Sequence, residues 1–295
     1  HKGTNLFNAR VITRNGRITT EEASVIAEAA RLYGDGHMMM TTRLTIEVSG
    51  IAYHDIDAFC AHLAKAGLSV GGTGSKVRPV VSCKATTCQY GLYDAYALSD
   101  EIHTRFYQGY RGVSLPHKFK IATGGCPNNC VKPTLNDLGI VGARVPQYHI
   151  EDCRSCKKCQ LEEACPIHAA KKNADGKLEI DAELCNHCGR CIGKCPFHCN
   201  DEGVDGYKVY VGGRWGKKIA HGQMLHKIFM DQNEVLDTVE KAILLFRSAG
   251  ESGERFADTI NRIGFANAEK ILLSDELLQK KAEILGLDVV GGATC

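Results

Sequence analysis

The stretch that decides the reading is 116–130, "PHKFKIATGGCPNNC". Lys118 and Lys120 flank a phenylalanine, a Gly-Gly follows, and Cys126 and Cys130 close the run. Side chains two apart in a strand point the same way, so the two lysines face together. That pattern alone also fits a solvated strand face. A zinc site would account for the thiols and leave the cations unexplained, and a disulfide would account for neither.

Cysteine is the outlier further along the chain. There are 15 cysteines in 295 residues, and all but Cys60 and Cys295 fall between Cys83 and Cys199. No run reaches the length of a membrane span, and the first thirty residues show neither the charged nor the apolar region of a secretory signal. Clustered thiols in such a chain point to metal or redox work in a reducing compartment, so the expectation is a cytoplasmic protein. A formal charge of +2 gives no case for nucleic-acid binding. The length suits one large domain or two ordinary ones.

The most specific signal is the pair of runs "CRSCKKCQLEEACP" (153–166) and "CNHCGRCIGKCP" (185–196). The second is C-x2-C-x2-C-x3-C-P, the bacterial ferredoxin spacing for 4Fe–4S clusters, in which the fourth cysteine ligates the other cluster. That rule assigns Cys153, Cys156, Cys159 and Cys195 to one cluster, and Cys185, Cys188, Cys191 and Cys165 to a second. The first run departs from the pattern, with five residues before Cys165 where three are usual, so a local insertion is expected there. Paired zinc knuckles are the competing reading, but zinc sites close with four ligands and rarely repeat the trailing Cys-Pro. "KNADGKLEIDAE" between the runs reads as a hairpin turning at Asp175-Gly176. Two further pairs remain, Cys83 with Cys88 and Cys126 with Cys130. Both lie in turn-rich sequence and not in apolar stripes, so a third cluster is the economical reading and buried free thiols the alternative.

Elsewhere, 19–34 has a Thr cap, early acids and a Gly stop, and reads as a helix. A strand is expected over 37–48, with its Met run packing core. A helix over 53–67 would bury Cys60 as a structural thiol, a third helix covers 91–109, and 233–250 reads as an amphipathic helix. "SVGGTGSK" matches no phosphate-binding fingerprint. Helix and strand alternate without a doubly wound pattern, so the fold class is α+β. The expected domains are 1–147 with 203–295, interrupted by a 2x(4Fe–4S) ferredoxin domain at 148–202. Cys199 and Cys295 receive no role.

Taken together these pieces resemble the siroheme-dependent sulfite and nitrite reductases, most closely the anaerobic sulfite reductase C-subunit type. The resemblance rests on "MMTTRLTIEVSGI" (39–51), "VRPVVSC" (77–83), "LPHKFKIATGGCPNNC" (115–130), "LNDLGIVG" (135–142) and "VYVGGRWGKK" (209–218), and it covers nearly the whole chain. One departure is that Cys83 and Cys88 have four residues between them where the family usually has five. The resemblance implies siroheme and three 4Fe–4S clusters. It makes Cys83, Cys88, Cys126 and Cys130 the ligands of the third cluster, with Cys130 also bridging to the siroheme iron. It makes Arg43, Arg78, Lys118 and Lys120 the cations around the substrate, and places Thr41, Thr42 and Arg214 against the cofactor. Siroheme's carboxylates need local cations, and Arg10, Arg14, Arg17, Lys76, Arg111, Arg144, Arg214, Lys217 and Lys218 are the candidates.

The chemistry suits those assignments. Cations lower the cost of bringing an anion to iron and polarise each S–O bond. Arginine stays charged and offers a fixed donor fork, whereas lysine can give up a proton. The expected activity is six-electron reduction of sulfite to sulfide. Nitrite reduction to ammonia at the same site, or a non-catalytic iron–sulfur electron-transfer subunit, are the alternatives. With no flavin or nicotinamide motif, a ferredoxin or flavoprotein donor is implied. Longer members of the family hold two pseudo-symmetric halves, so a chain with one half is expected to form a homo-oligomer.

Overall fold

A computed structural model describes residues 3–292. Cys295 lies outside the described residues. The N-terminal unit runs β1 (Leu6–Val11), α1 (Thr20–Tyr33), β2 (Met38–Met40), β3 (Ile46–Ala52) and α2 (Ile56–Ala64). Its antiparallel sheet has the order β1-β3-β2. A capping box starts α1, Thr19 accepting the Glu22 N–H while the Glu22 side chain reaches back to the Thr19 N–H. Ile26, Ala29, Phe59 and Leu63 from the helices meet Val11, Ile46, Val48 and Ile51 from the sheet in one core.

Three expectations need correction here. The strand expected over 37–48 is two strands joined by a tight turn. Thr41 Oγ1 contacts Thr45 Oγ1 at 2.6 Å and accepts the N–H groups of Arg43 and Thr45, which gives the backbone an alternative to the ladder. The Met run does not pack core, because β2 is an edge strand, and Met40 is 75% exposed. Cys60 is half-buried at the margin of this core and not enclosed by it.

The larger unit is built on β4 (Val81–Ser82), α3 (Ala95–Ile102), β5 (Ile121–Gly124) and β6 (Leu138–Gln147). Beyond β6 come α4 (Gln160–Ala164) and a hairpin of β7 (Ala170–Lys172) and β8 (Leu178–Ile180). The chain then returns through β9 (Glu202–Val211), β10 (Gln223–Phe229), α5 (Gln232–Ala249) and α6 (Phe256–Ile263). The five-stranded sheet has the order β10-β9-β6-β5-β4, with β4, β5 and β6 mutually parallel and β9 and β10 antiparallel. The β7-β8 hairpin turns at Gly176, whose φ of +73° suits glycine, and forms its own small sheet. The third helix is shorter than expected, since Asp94 caps it and it passes into one π-helical segment, His103–Gln108. α5 is not amphipathic in place. It is buried nearly all round, with Phe246 against Phe119 and Phe256, and its charges satisfied by Lys241–Asp275 at 2.7 Å and Arg247 Nε donating to Ile284 O at 2.9 Å.

Candidate active site and cysteine clusters

Parallel strands bring equivalent ends together, and here the two ends carry different chemistry. Arg78 precedes β4, Lys118 and Lys120 precede β5, and Asn136 and Asp137 precede β6, so these residues gather at the N-terminal ends of the strands. Phe119 bridges to Val77 and is fully buried, which leaves Lys118 and Lys120 half-buried on the other side of an extended segment. Arg43 reaches in from the β2–β3 turn. It donates from Nη1 to Asn136 Oδ1 at 2.7 Å and from Nη2 to the carbonyls of Pro79 and Ile121. Arg78 is buried and is held by the Gly-rich loop, with Nη1 donating to Gly72 O at 2.8 Å and Nε to Gly74 O at 3.1 Å. Behind them the buried Asp137 carboxylate accepts two bonds of 2.9 Å from Arg255 and the Lys120 backbone N–H at 2.8 Å.

The electrostatics follow from crowding cations in a half-dry site. Burial, and then the like charges of Arg43 and Arg255, push the Lys120 ammonium down to about 8, with Asp137 opposing. Burial pushes the Arg43 guanidinium down to about 9 against the pull of Asp137. His117 is pushed down to about 4 by burial and by Arg255, Lys118, Arg78 and Arg214. Its Nδ1 accepts the Lys118 N–H at 2.8 Å, so the neutral ring carries its proton on Nε2. Arg214 lies on this side too and is bound by both oxygens of Asp258 at 2.8 and 2.6 Å. Thr41 stabilises the turn that presents Arg43, and Thr42 is exposed. Arg14 and Arg17 engage Glu22 and Asp100, and Arg144 lies 3.5 Å from Asp205.

The thiols sit at the other end of the same strands. Cys83 follows β4 and donates its backbone N–H to Thr123 O at 2.9 Å, and Cys126 follows β5 by two residues. The Cys83–Cys88 segment closes through a 3-10 turn, Ala85–Thr87. That turn packs on the backbone of Gly125, where an added Cβ would come 1.8 Å from Ala85 Cβ. Cys126 and Cys130 are related by consecutive turns and not by a helix, with Asn129 N–H donating to Cys126 O at 3.2 Å. Burial, and the neighbouring Cys83, Cys130 and Cys88, push the Cys126 thiol up, so the four sulfurs sense one another. Cys130 is exposed.

Beyond β6 the remaining thiols fall into two groups. Cys153, Cys156, Cys159 and Cys195 line one cavity together with Cys199. Cys165, Cys185, Cys188 and Cys191 line another, with Pro146, Ile167, Ala170 and Ile180 as apolar walls. The five residues before Cys165 are taken up by the single helical turn of α4. The two halves repeat their backbone. Ser155 and His187, each two residues past the first cysteine of a run, have φ of +51° and +55°, and His168 and His198, each three past the last, have +55° and +63°. Burial raises the Cys165 thiol, but the N–H groups of Ala170, Ile167, Ala169 and His168 bring it below its ordinary value. A third, wider cleft is lined by both Cys126 and Cys188, with Tyr90, Arg190 and Ile192 between the two thiol groups.

Comparison with known proteins places this geometry. A family model described as the nitrite and sulphite reductase 4Fe-4S domain matches residues 73–281, and one described as the nitrite/sulfite reductase ferredoxin-like half domain matches residues 1–66. The chain belongs to the nitrite and sulphite reductase family. It is 31% identical to a coenzyme F420-dependent sulfite reductase of Methanocaldococcus jannaschii, over 88% of this chain and 40% of that protein. It is 29% identical to the anaerobic sulfite reductase C-subunit of Salmonella typhimurium, over 75% of this chain and 67% of that protein. The chain thus spans well under half of the F420-dependent relative. The crystal structure of dissimilatory sulfite reductase I has the same fold, with a TM-score of 0.71 at 21% identity over 90% of this chain and 69% of that one.

The residues fit the groups that this family implies. Arg10, Arg43, Arg214 and Arg255 each keep a buried Nε, and Arg78 a buried Nη2, without a hydrogen-bond partner among the described residues. Unspent guanidinium donors beside a cation cluster suit a polyanion. Among the described residues no three His, Cys, Asp or Glu side chains converge closely enough for a single ion. The thiols instead stand back around cavities, as the all-thiolate donors of a cubane cluster do. Sequence reasoning gave no role to His117, Asn136, Asp137 and Arg255. "LNDLGIVG" already held the Asn-Asp pair, whereas Arg255 meets Asp137 across 118 residues and has no local signal.

Proposed function

We propose that this chain catalyses the six-electron reduction of sulfite to sulfide at a siroheme coupled to a 4Fe–4S cluster. The observation that carries the reading is the group of buried and half-buried cations beside unspent arginine donors, at the opposite end of the same parallel strands, β4 and β5, from the four-thiol group. Siroheme with its bridged cluster supplies the electrons when bound. Arg43 and Arg78 hold the anion, their guanidinium groups fixed by the protein's own carbonyls. Lys118 and Lys120 place protons beside the leaving oxygens. With its ammonium lowered to about 8, Lys120 is near the best balance between holding and giving a proton at neutral pH. Cys83, Cys88, Cys126 and Cys130 would hold the coupled cluster, and the exposed Cys130 would be the thiolate that couples it to the siroheme. Thr41, Thr42 and Arg214 would border the macrocycle.

Residues 148–202 would form the ferredoxin insert, with 1–147 and 203–295 as the reductase domain. Three 4Fe–4S clusters are expected. The cleft shared by Cys126 and Cys188 supports a route from a ferredoxin or flavoprotein donor, through the insert, to the coupled cluster.

The placement of the two groups bears on assembly. Lys120 and Cys126 lie at opposite ends of β5, and six extended residues span roughly 20 Å at about 3.3 Å each. One chain therefore presents its cations and its thiols to different places, and a homo-oligomer in which each macrocycle takes cations from one copy and the cluster from another satisfies both. Mixing Arg43→Ala with Cys130→Ala chains tests this, since recovered turnover requires shared sites and absence of recovery rejects them. The activity itself is tested by anaerobic absorption with iron and tetrapyrrole quantitation, followed by sulfite and nitrite turnover. Siroheme bands with about twelve cluster irons and one haem iron are expected. Clusters without macrocycle would replace the enzyme by an electron relay, and turnover of nitrite alone would replace the substrate.

A further inference from the structure

Cys199 and Asn200 follow the last cluster-type cysteine and belong to no ligand motif, yet they are among the most buried polar residues of the chain, 2% and 0% exposed. Their backbone is pinned from both sides, His149 N–H donating to Cys199 O at 2.9 Å and Gly193 N–H to Asn200 O at 2.7 Å. The Cys199 thiol lies 3.1 Å from Cys195 Sγ and lines the same cavity as Cys153, Cys156 and Cys159. Among the described residues the Asn200 amide has no hydrogen-bond partner for either polar atom. It faces the sulfur of Cys191, which belongs to the other thiol group.

A fully buried, unpartnered amide is costly, and its cost is recovered when an anionic acceptor is in place. The pseudo-symmetry of the insert supplies an internal control. The residues four and five past Cys165, matching Cys199 and Asn200 past Cys195, are Ala169 and Ala170, buried and without side-chain donors. Both Cys165 and Cys195 receive backbone N–H groups from the residues that follow them. After the last cysteine of each run, the side chains at these two positions distinguish the halves.

We propose that the Cys199–Asn200 dipeptide sets the reduction potentials of the two ferredoxin-type clusters, Cys199 donating its S–H to the Cys195 sulfur of one and Asn200 its amide N–H to the Cys191 sulfur of the other. This rests on the reading that the two cavities hold 4Fe–4S clusters. A donor to a ligand sulfur stabilises the more negative, reduced cluster and raises its potential. Because each donor addresses a different cluster, the pair fixes the step between them, and so the direction in which an electron crosses the insert.

The test is an EPR-monitored redox titration of the full-length holoprotein, with iron and acid-labile sulfide counted for each variant. Cys199→Ala should make reduction of the Cys153/Cys156/Cys159/Cys195 cluster about tenfold less favourable, about 59 mV for one electron, and leave the other cluster unmoved. Asn200→Leu should do the reverse, lowering only the Cys165/Cys185/Cys188/Cys191 cluster. Cys199→Ser keeps a donor and should restore part of the loss. Unchanged potentials in both variants, or equal shifts of both clusters in either, overturn the proposal. Loss of four irons from Cys199→Ala also overturns it, because Cys199 would then be a ligand. Wild-type protein with no iron in the insert would instead remove the cluster reading on which the proposal stands.

Discussion

Replacing Asp137 by Asn removes one charge and almost no volume, and the surroundings of the carboxylate determine the consequences. The carboxylate is fully buried and accepts two bonds from Arg255 and one from the Lys120 backbone. Asparagine can still accept one N–H through Oδ1, but its NH2 turns a donor toward Arg255, which is itself buried with its Nε already unpartnered. Breaking a buried pair from one side costs roughly 3–5 kcal/mol because the remaining charge is left without compensation. For a chain of this size that corresponds to an apparent melting temperature lower by roughly 10 °C. The double variant Asp137→Asn/Arg255→Met removes the stranded charge and should recover at least about 2 kcal/mol of the loss. There is also a catalytic signature. Asp137 is the carboxylate that opposes the downward push on Lys120, so its neutralisation should move the alkaline limb of sulfite turnover to lower pH. Melting curves of single and double variants at one scan rate, with pH–rate profiles, make the assay. A loss under about 2 °C with an unmoved profile would refute the claim that this pair supports the cation site.

Turnover should fall as pH rises through about 8, where Lys120 loses its proton, and not near the ordinary lysine value of 10.5. Lys120→Arg keeps the charge without a removable proton and should retain sulfite affinity while losing about a hundredfold in rate, the alkaline limb going with it. Gly125→Ala places a Cβ inside Ala85 and must displace the Cys83–Cys88 turn. Iron analysis should show four irons lost per chain with the insert's clusters intact. His117 is held near 4 against 6.5 in the unfolded chain, so the unfolded state takes up more protons between those values and stability declines as pH falls from 6.5 toward 4. His117→Gln should flatten that acid limb in melting curves taken across the window.

The thiols that the spacing groups together also line common cavities. Cys153, Cys156 and Cys159 are constrained to one cavity by a few intervening residues, and the trailing Cys-Pro of each run signals the exchange that brings Cys195 to the first cavity and Cys165 to the second. The capping box of α1 is equally local. Arg78 and Lys120 stood out as residue types, but what fixes them does not appear in the sequence. The Gly72 and Gly74 carbonyls hold Arg78, and Asp137 holds the Lys120 backbone only because β5 and β6 are neighbours. Arg255 could not be found at all, since its role depends on a contact across most of the sheet domain. The Met run differs for a related reason, because its composition suits core and only the strand order shows that β2 is an edge strand. Thr41 was read as part of a strand and instead closes a turn, a choice made by one hydroxyl that satisfies two backbone donors.

The segment 116–130 carries both cations and thiols because β5 is a strut with two working ends. A strand is polar, and in a parallel set every N-terminus faces one way, so residues before β4, β5 and β6 form one cluster and residues after β4 and β5 form another. Packing holds that separation. Phe119 anchors the lysine end in the main core, and Gly125 lets the Cys83 turn close on the thiol end. Neither end can approach the other without breaking the ladder between them. If each macrocycle is enclosed by two copies, the distance between sites is then set by the length of the strand, and shortening β5 would alter both sites at once. Within one chain, by contrast, the same strand would hold substrate and cluster too far apart for a single macrocycle to touch both. The length of β5 is thus a ground for the proposed shared site that is separate from the count of halves.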